Sequence, residues 1–168
     1  MSRNHTDVIE QLVREHSARL VLYARQWTSD PDDVVQEALT RLAGCRRMPD
    51  ECVSWLYRVV RNLAINSGRS NRRRQIRETT WASGRSDWFE LDTNSPIDAT
   101  VAAEALMNVS HDVREIVILK LWCDKTYEEI AELVNSSPST AFRRYAEGLA
   151  ELKKQLLRIS EPNPRQEH

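Results

Sequence analysis

An all-α fold, with two small helical domains joined by a flexible linker, is predicted by three features of this 168-residue chain. Glycine is scarce, at 4 residues, and β-branched residues do not gather in strand-like runs. Apolar residues recur at steps of three and four, the period of a helix with one face in a core. Four prolines, Pro31, Pro49, Pro96 and Pro138, stand where a first helical position tolerates them. Three of these follow an Asp or Ser suited to capping, and acids fill the first turn after Pro31, Pro49 and Pro96, as the helix dipole favours. These marks divide the chain into helices over 6–28, 31–43, 50–77, 96–109, 111–123, 126–134 and 138–157.

In the first helix, Ile9, Leu12, Val13, His16, Leu20, Tyr23, Ala24 and Trp27 make one apolar stripe. His16 on that stripe reads as a core or boundary residue rather than a ligand. In the helix over 31–43, Val34, Val35, Ala38, Leu39 and Leu42 share an inward face. Asp33, Gln36, Glu37 and Thr40 gather on the other side, a compact acidic and amide surface.

The helix over 50–77 carries the strongest charge signal. Between Trp55 and Arg77 stand Arg58, Arg61, Arg69, Arg72, Arg73, Arg74 and Arg77, with no acid among them. The whole chain has a formal net charge of −1, so this segment is +7 and the remainder −8. Arg58, Arg61, Arg69 and Arg72 fall within an arc of about 80°. Trp55, Leu56, Val59, Val60 and Leu63 form the buried stripe, with Asn62 and Asn66 on the border. A concentrated basic field suits a polyanion, and arginine can both fork onto phosphates and stack on bases. Trp55 and Tyr57 are further stacking candidates, with Trp55 placed on the apolar side. Ser67-Gly68 marks a kink or an early end, because glycine costs a helix about 1 kcal/mol relative to alanine.

Residues 79–95 break every helical period and read as an interdomain linker, although Trp81, Trp88 and Phe89 within it suggest docking on a neighbour. Beyond it, Thr126 and Glu129 form a capping box ahead of Ile130. Ile130, Ala131 and Leu133 face inward, Asn135-Ser136-Ser137 makes a tight turn in which asparagine tolerates a left-handed backbone, and Pro138 starts a second helix. Ala141, Tyr145, Leu149 and Leu152 repeat along it at helical spacing. Its early positions Ser139, Thr140, Phe142, Arg143, Arg144 and Glu147 are those a recognition helix presents to the major groove. The tail from Ser160 to His168 is expected to be disordered.

Other functions have no residues behind them. Cys45, Cys52 and Cys123 lack CxxC spacing, and His5, His16, His111 and His168 are scattered, so neither metal nor cofactor is expected. Glycine-rich phosphate loops, GxSxG elbows and HExxH motifs are missing, and an enzyme is not expected. No apolar stretch approaches the roughly 18 residues of a membrane span, and MSRNHTDVIEQ lacks a signal-peptide core. The expected location is the cytoplasm.

The order DPDDVVQEALTRL, WLYRVVRNLAI with its arginine run, and VREIVILKLWCDKTYEEIAELVNSSPSTAFRRYAEGLAELK resembles bacterial RNA polymerase sigma factors of the extracytoplasmic-function type, across most of residues 6–157. The resemblance implies a region 2-like domain over 1–78 and a region 4-like domain over 96–159. It assigns Asp33, Gln36 and Glu37 to the β′ clamp helices of core RNA polymerase. Arg58, Arg61 and Asn62 would meet the melted −10 strand, and Arg69, Arg72, Arg73 and Arg74 its backbone. Ser139, Thr140, Phe142, Arg143 and Arg144 would read the −35 duplex, and the same domain would meet the β flap. An anti-sigma protein or expression level would supply control, since no long extra domain follows residue 157.

The sequence departs from the family pattern at three places. Phe142 stands where a basic residue is usual, Asn135 where glycine is common in the turn, and Asn66-Ser67-Gly68 where an acidic-basic-aliphatic series is commoner. An unusual promoter preference is expected from these. The alternative function is a stand-alone helix-turn-helix regulator that binds duplex DNA without polymerase.

Overall fold

The computed structural model of the chain describes residues 3–77 and 104–160. All regular structure among these residues is helical, as expected. One unit holds α1 (Arg3–Ala24), α2 (Pro31–Ala43) and α3 (Cys52–Arg77). The other holds a helical turn at 104–107, α4 (His111–Leu121), α5 (Tyr127–Leu133) and α6 (Pro138–Ser160). The segment 79–95 with Trp81, Trp88 and Phe89, and the tail after 160, lie outside the described residues.

In the first unit the three helices bury Leu20, Tyr23 and Ala24 of α1, Val34, Val35, Ala38 and Leu42 of α2, and Leu56, Tyr57, Val60 and Ala64 of α3. Each such large side chain contributes about 1.5–3 kcal/mol by leaving water. The buried line on α1 is narrower than the apolar stripe, with Val13 41% exposed. α1 also stops at Ala24 rather than 28, because the backbone tightens into a turn in which Trp27 N–H donates to Ala24 C=O at 3.0 Å. Tyr57 is core, not a stacking aromatic: it is fully buried with its ring tilted 54° against Tyr23 at 5.4 Å between centroids. Two residues along from Trp55, it falls on the side of α3 that continues to Val60 and Ala64, while Trp55 itself is half-buried.

α3 runs unbroken through Ser67-Gly68. The reason for the glycine lies 41 residues away in sequence. A Cβ on Gly68 would overlap the carbonyl oxygen of Trp27 and stand 3.1 Å from its carbonyl carbon. Hydrogen bonds surround this close approach. Thr28 Oγ1 and Ser67 Oγ are 2.9 Å apart, Asp30 N–H donates to Thr28 Oγ1 at 3.1 Å, and Asn71 Nδ2 donates to Asp30 Oδ2 at 3.2 Å. Asp30 therefore does not cap α2 with its side chain. The carboxylate holds α3 instead.

The second unit packs α4 and α5 against α6 around Ile116, Val117, Ile118, Leu119, Ile130 and Ala141, all buried. Arg114 fastens the end of the turn at 104–107 to α4. Its Nε donates to Leu106 C=O at 2.8 Å, and its NH2 group to Met107 C=O at 2.8 Å and Val109 C=O at 2.9 Å. One guanidinium thus binds three carbonyls at the end of this turn, that of Leu106 also accepting from Val109 N–H at 3.3 Å. Burial lowers its pKa from the usual arginine value, without threatening the charge at neutral pH.

The capping box expected at α5 is present. Glu129 N–H donates to Thr126 Oγ1 at 3.2 Å, and Thr126 N–H to Glu129 Oε2 at 2.8 Å. Buried Lys125 adds an ion pair to Glu129 at 2.9 Å. Burial pushes the Glu129 carboxyl up, but the Thr126 N–H and Lys125 outweigh it and hold the pKa below its usual value. A depressed carboxyl stabilises the fold fully above the unfolded-state pKa of about 4.3, and that contribution fades as pH falls through the folded value. Urea unfolding of wild type and Glu129→Gln is accordingly expected to differ most near neutrality, the gap narrowing as pH falls below the unfolded-state value of about 4.3. A gap that stays constant with pH would show that Glu129 is not held low.

Candidate nucleic-acid interface

On α2, Asp33, Gln36 and Glu37 are all exposed on the side away from Val34, Val35, Ala38 and Leu42. Glu37 pairs with Arg41 one turn later at 2.8 Å, and Thr40 Oγ1 donates to Gln36 C=O at 2.8 Å. The face is therefore acidic and ordered, with its carboxylate geometry set along a single helix.

On α3, Arg58, Asn62, Arg69, Arg72 and Arg73 are exposed. Arg74 continues the helix, though its side chain lies outside the described residues. Arg61 differs from the rest: it is half-buried, with its guanidinium 5.9 Å from the centre of the Trp27 ring. Trp27 meets Tyr23 edge-on at 5.0 Å. So the structure brings Arg58, Arg69, Arg72 and Arg73 to one open face and sets Arg61 on an aromatic platform at its edge. Sequence periodicity placed Trp27 in the apolar stripe and missed this platform. Its signal was the position of Trp27, immediately ahead of the Thr-Ser-Asp-Pro turn.

In the second unit α5, a tight turn and α6 form a helix-turn-helix. Asn135 at the turn has φ of 53°, the left-handed conformation its residue type was expected to take. Ser137 caps α6, its Oγ accepting from Thr140 N–H at 3.2 Å, and it also donates to Thr140 Oγ1 at 2.9 Å. Ser139, Phe142 and Arg143 are exposed, whereas Thr140 and Arg144 are half-buried. Arg143 leans toward Glu147 at 3.9 Å, an exposed pair that is readily exchanged for an external anion. At the opposite end of α6 an apolar groove of about 410 Å³ runs between Leu106, Leu121, Trp122, Leu149, Leu156 and Leu157. Leu149, one of the residues that repeat at helical spacing along α6, is 39% exposed and lines this groove.

Among the described residues no cluster of His, Cys, Asp and Glu could hold a metal ion, and no helix is long and apolar enough to cross a membrane.

A basic helix beside an acidic one, together with a separate helix-turn-helix, defines a DNA-directed transcription protein of two helical units. Comparison with known proteins narrows that class. The sequence profile of Sigma-70 region 2 matches residues 12–74 and that of Sigma-70, region 4 matches residues 102–152. The extracytoplasmic-function (ECF) RNA polymerase sigma factor SigL of Mycobacterium tuberculosis is 32% identical over 120 residues, covering 66% of this chain and 67% of that protein. The fold is similar to that of sigma factor RpoE of Bartonella quintana, solved in complex with the anti-sigma factor NepR, with a TM-score of 0.69 at 21% identity, over 92% of this chain and 99% of that one. The chain belongs to the ECF sigma factors, which bind core RNA polymerase and promoter DNA. Sigma factors are non-enzymatic regulators of transcription initiation.

Proposed function

We propose that this chain directs initiation through three separate surfaces: Asp33, Gln36 and Glu37 of α2 on the β′ clamp helices, α3 on the −10 strand, and the start of α6 on the −35 duplex. The observation that carries this reading is the open arginine face of α3, in the same unit as the exposed acidic face of α2. Arg58, Asn62 and Arg61 stand near the bases, with Arg61 oriented by Trp27; Arg69, Arg72, Arg73 and Arg74 hold phosphates. Unstacking and flipping bases costs a few kcal/mol each, which arginine–phosphate contacts offset. The apolar groove at the far end of α6 is the surface we assign to the β flap. That placement leaves both polymerase and DNA able to hold α6 at once.

The net charge of −8 outside the arginine segment repels DNA from the free chain. Polymerase covering the acidic surface removes that penalty, so promoter binding is conditional on polymerase. The chain then acts in the cytoplasm as a non-catalytic subunit, open to control by an anti-sigma protein that covers either partner surface.

Reconstitution tests the reading. Purified chain and core polymerase together are expected to give transcripts from a limited set of promoters, with neither component doing so alone. A tight, sequence-specific complex of the free chain with duplex DNA, and no promoter-specific transcripts on adding polymerase, would instead establish the stand-alone regulator.

A further inference from the structure

Phe142 is 56% exposed on α6, between Ser139 and Arg143 on the face assigned to the −35 duplex. A solitary exposed apolar side chain needs no explanation. This one is braced. Its ring meets Tyr127 of α5 edge-on, with centroids 5.4 Å apart and planes at 84°. Tyr127 meets Tyr145 of α6 at 6.0 Å and carries the Lys120 ammonium 4.7 Å from its ring centre. Lys120 is itself positioned by donating to Lys125 C=O at 3.0 Å. Residues from α4, α5 and α6 thus hold one exposed phenyl ring in place. A ring held this way loses little conformational freedom on binding.

A phenyl group offers no hydrogen bond to the donor and acceptor pattern of a base edge. The one apolar group in that pattern, on the major-groove side, is the C5-methyl of thymine. We propose that Phe142 is a specificity-determining residue that reads a thymine methyl in the upstream promoter duplex. The inference rests on the assignment of α6 to the −35 element, and gives that site a thymine preference where a basic residue would favour guanine.

The test uses holoenzyme reconstituted with core polymerase, on promoters selected from a duplex library randomised in the upstream element. Each thymine of the selected element is replaced singly by deoxyuridine, which removes one methyl and leaves every hydrogen-bonding group. One position is expected at which uracil lowers initiation about three- to five-fold, the worth of one buried methyl. Phe142→Ala is expected to initiate less well on the thymine template and to lose the thymine–uracil difference at that position. Phe142→Leu retains part of that difference and controls for folding, with matched thermal melts. The inference is overturned if no thymine shows the effect, or if the effect survives in Phe142→Ala, while promoter-specific transcription is intact. Promoter-specific transcription that withstands randomising the whole upstream element overturns the −35 assignment itself, and this inference with it.

Discussion

Gly68→Ala is expected to destabilise the unit of α1, α2 and α3 by about 2 kcal/mol, the reverse of the usual effect in a helix. In an exposed helix interior alanine gains about 1 kcal/mol over glycine. Here the added Cβ meets the Trp27 carbonyl, which is backbone and cannot rotate aside. Overpacking typically costs 1–3 kcal/mol, and a rigid neighbour puts this position at the upper end or beyond. The shift must also stretch the Thr28–Ser67 and Asn71–Asp30 contacts on either side. Urea unfolding followed by circular dichroism measures the result. A midpoint that rises in Gly68→Ala would mean that α3 does not sit this close to the corner at residues 27–30.

Replacing Arg69, Arg72 and Arg73 together by alanine is expected to lower open-complex formation by on the order of 100-fold at moderate salt. Charge-assisted hydrogen bonds contribute roughly 1.5–3 kcal/mol each, reduced at exposed positions by competing water and ions. Counterion release gives an independent readout. Losing three phosphate contacts on a single strand reduces the slope of log affinity against log salt by about 2. The three side chains are exposed and make no packing contribution to the core, so the variant should fold and still co-elute with core polymerase. An unchanged salt slope would place these arginines away from DNA whatever happens to activity.

Much of the fold was legible because its signals are local. Pro31 with Asp32 and Asp33 marks the start of α2, and the expected limits of 31–43 coincide with the observed Pro31–Ala43. The Thr126–Glu129 box and the left-handed Asn135 are equally local, and both were expected from residue type alone. What escaped involves partners far along the chain. Asp30 looks like a cap in sequence, but Asn71 of α3 binds its carboxylate. Gly68 looks like a weak point in α3, whereas it is the place where α3 touches the turn that follows α1. At the candidate site, helical spacing put the arginines on one face but could not single out Arg61, because its Trp27 platform comes from the turn after α1. Likewise the resemblance marked Phe142 as a departure, while Tyr127 and Lys120, which brace it, come from two other elements.

The corner at residues 27–30 has a consequence for how such chains diverge. α2 starts where that corner ends, and α3 rests on it through Ser67, Gly68 and Asn71. A bulky residue at 68 is therefore tolerable only in a chain whose corner has moved away, and a corner this close only where 68 is bare. These two stretches are expected to change together. Grafting the DNA-contacting helix of a relative into this protein should fail unless its corner travels with it, which makes 27–30 and 66–71 the smallest interchangeable part of this unit.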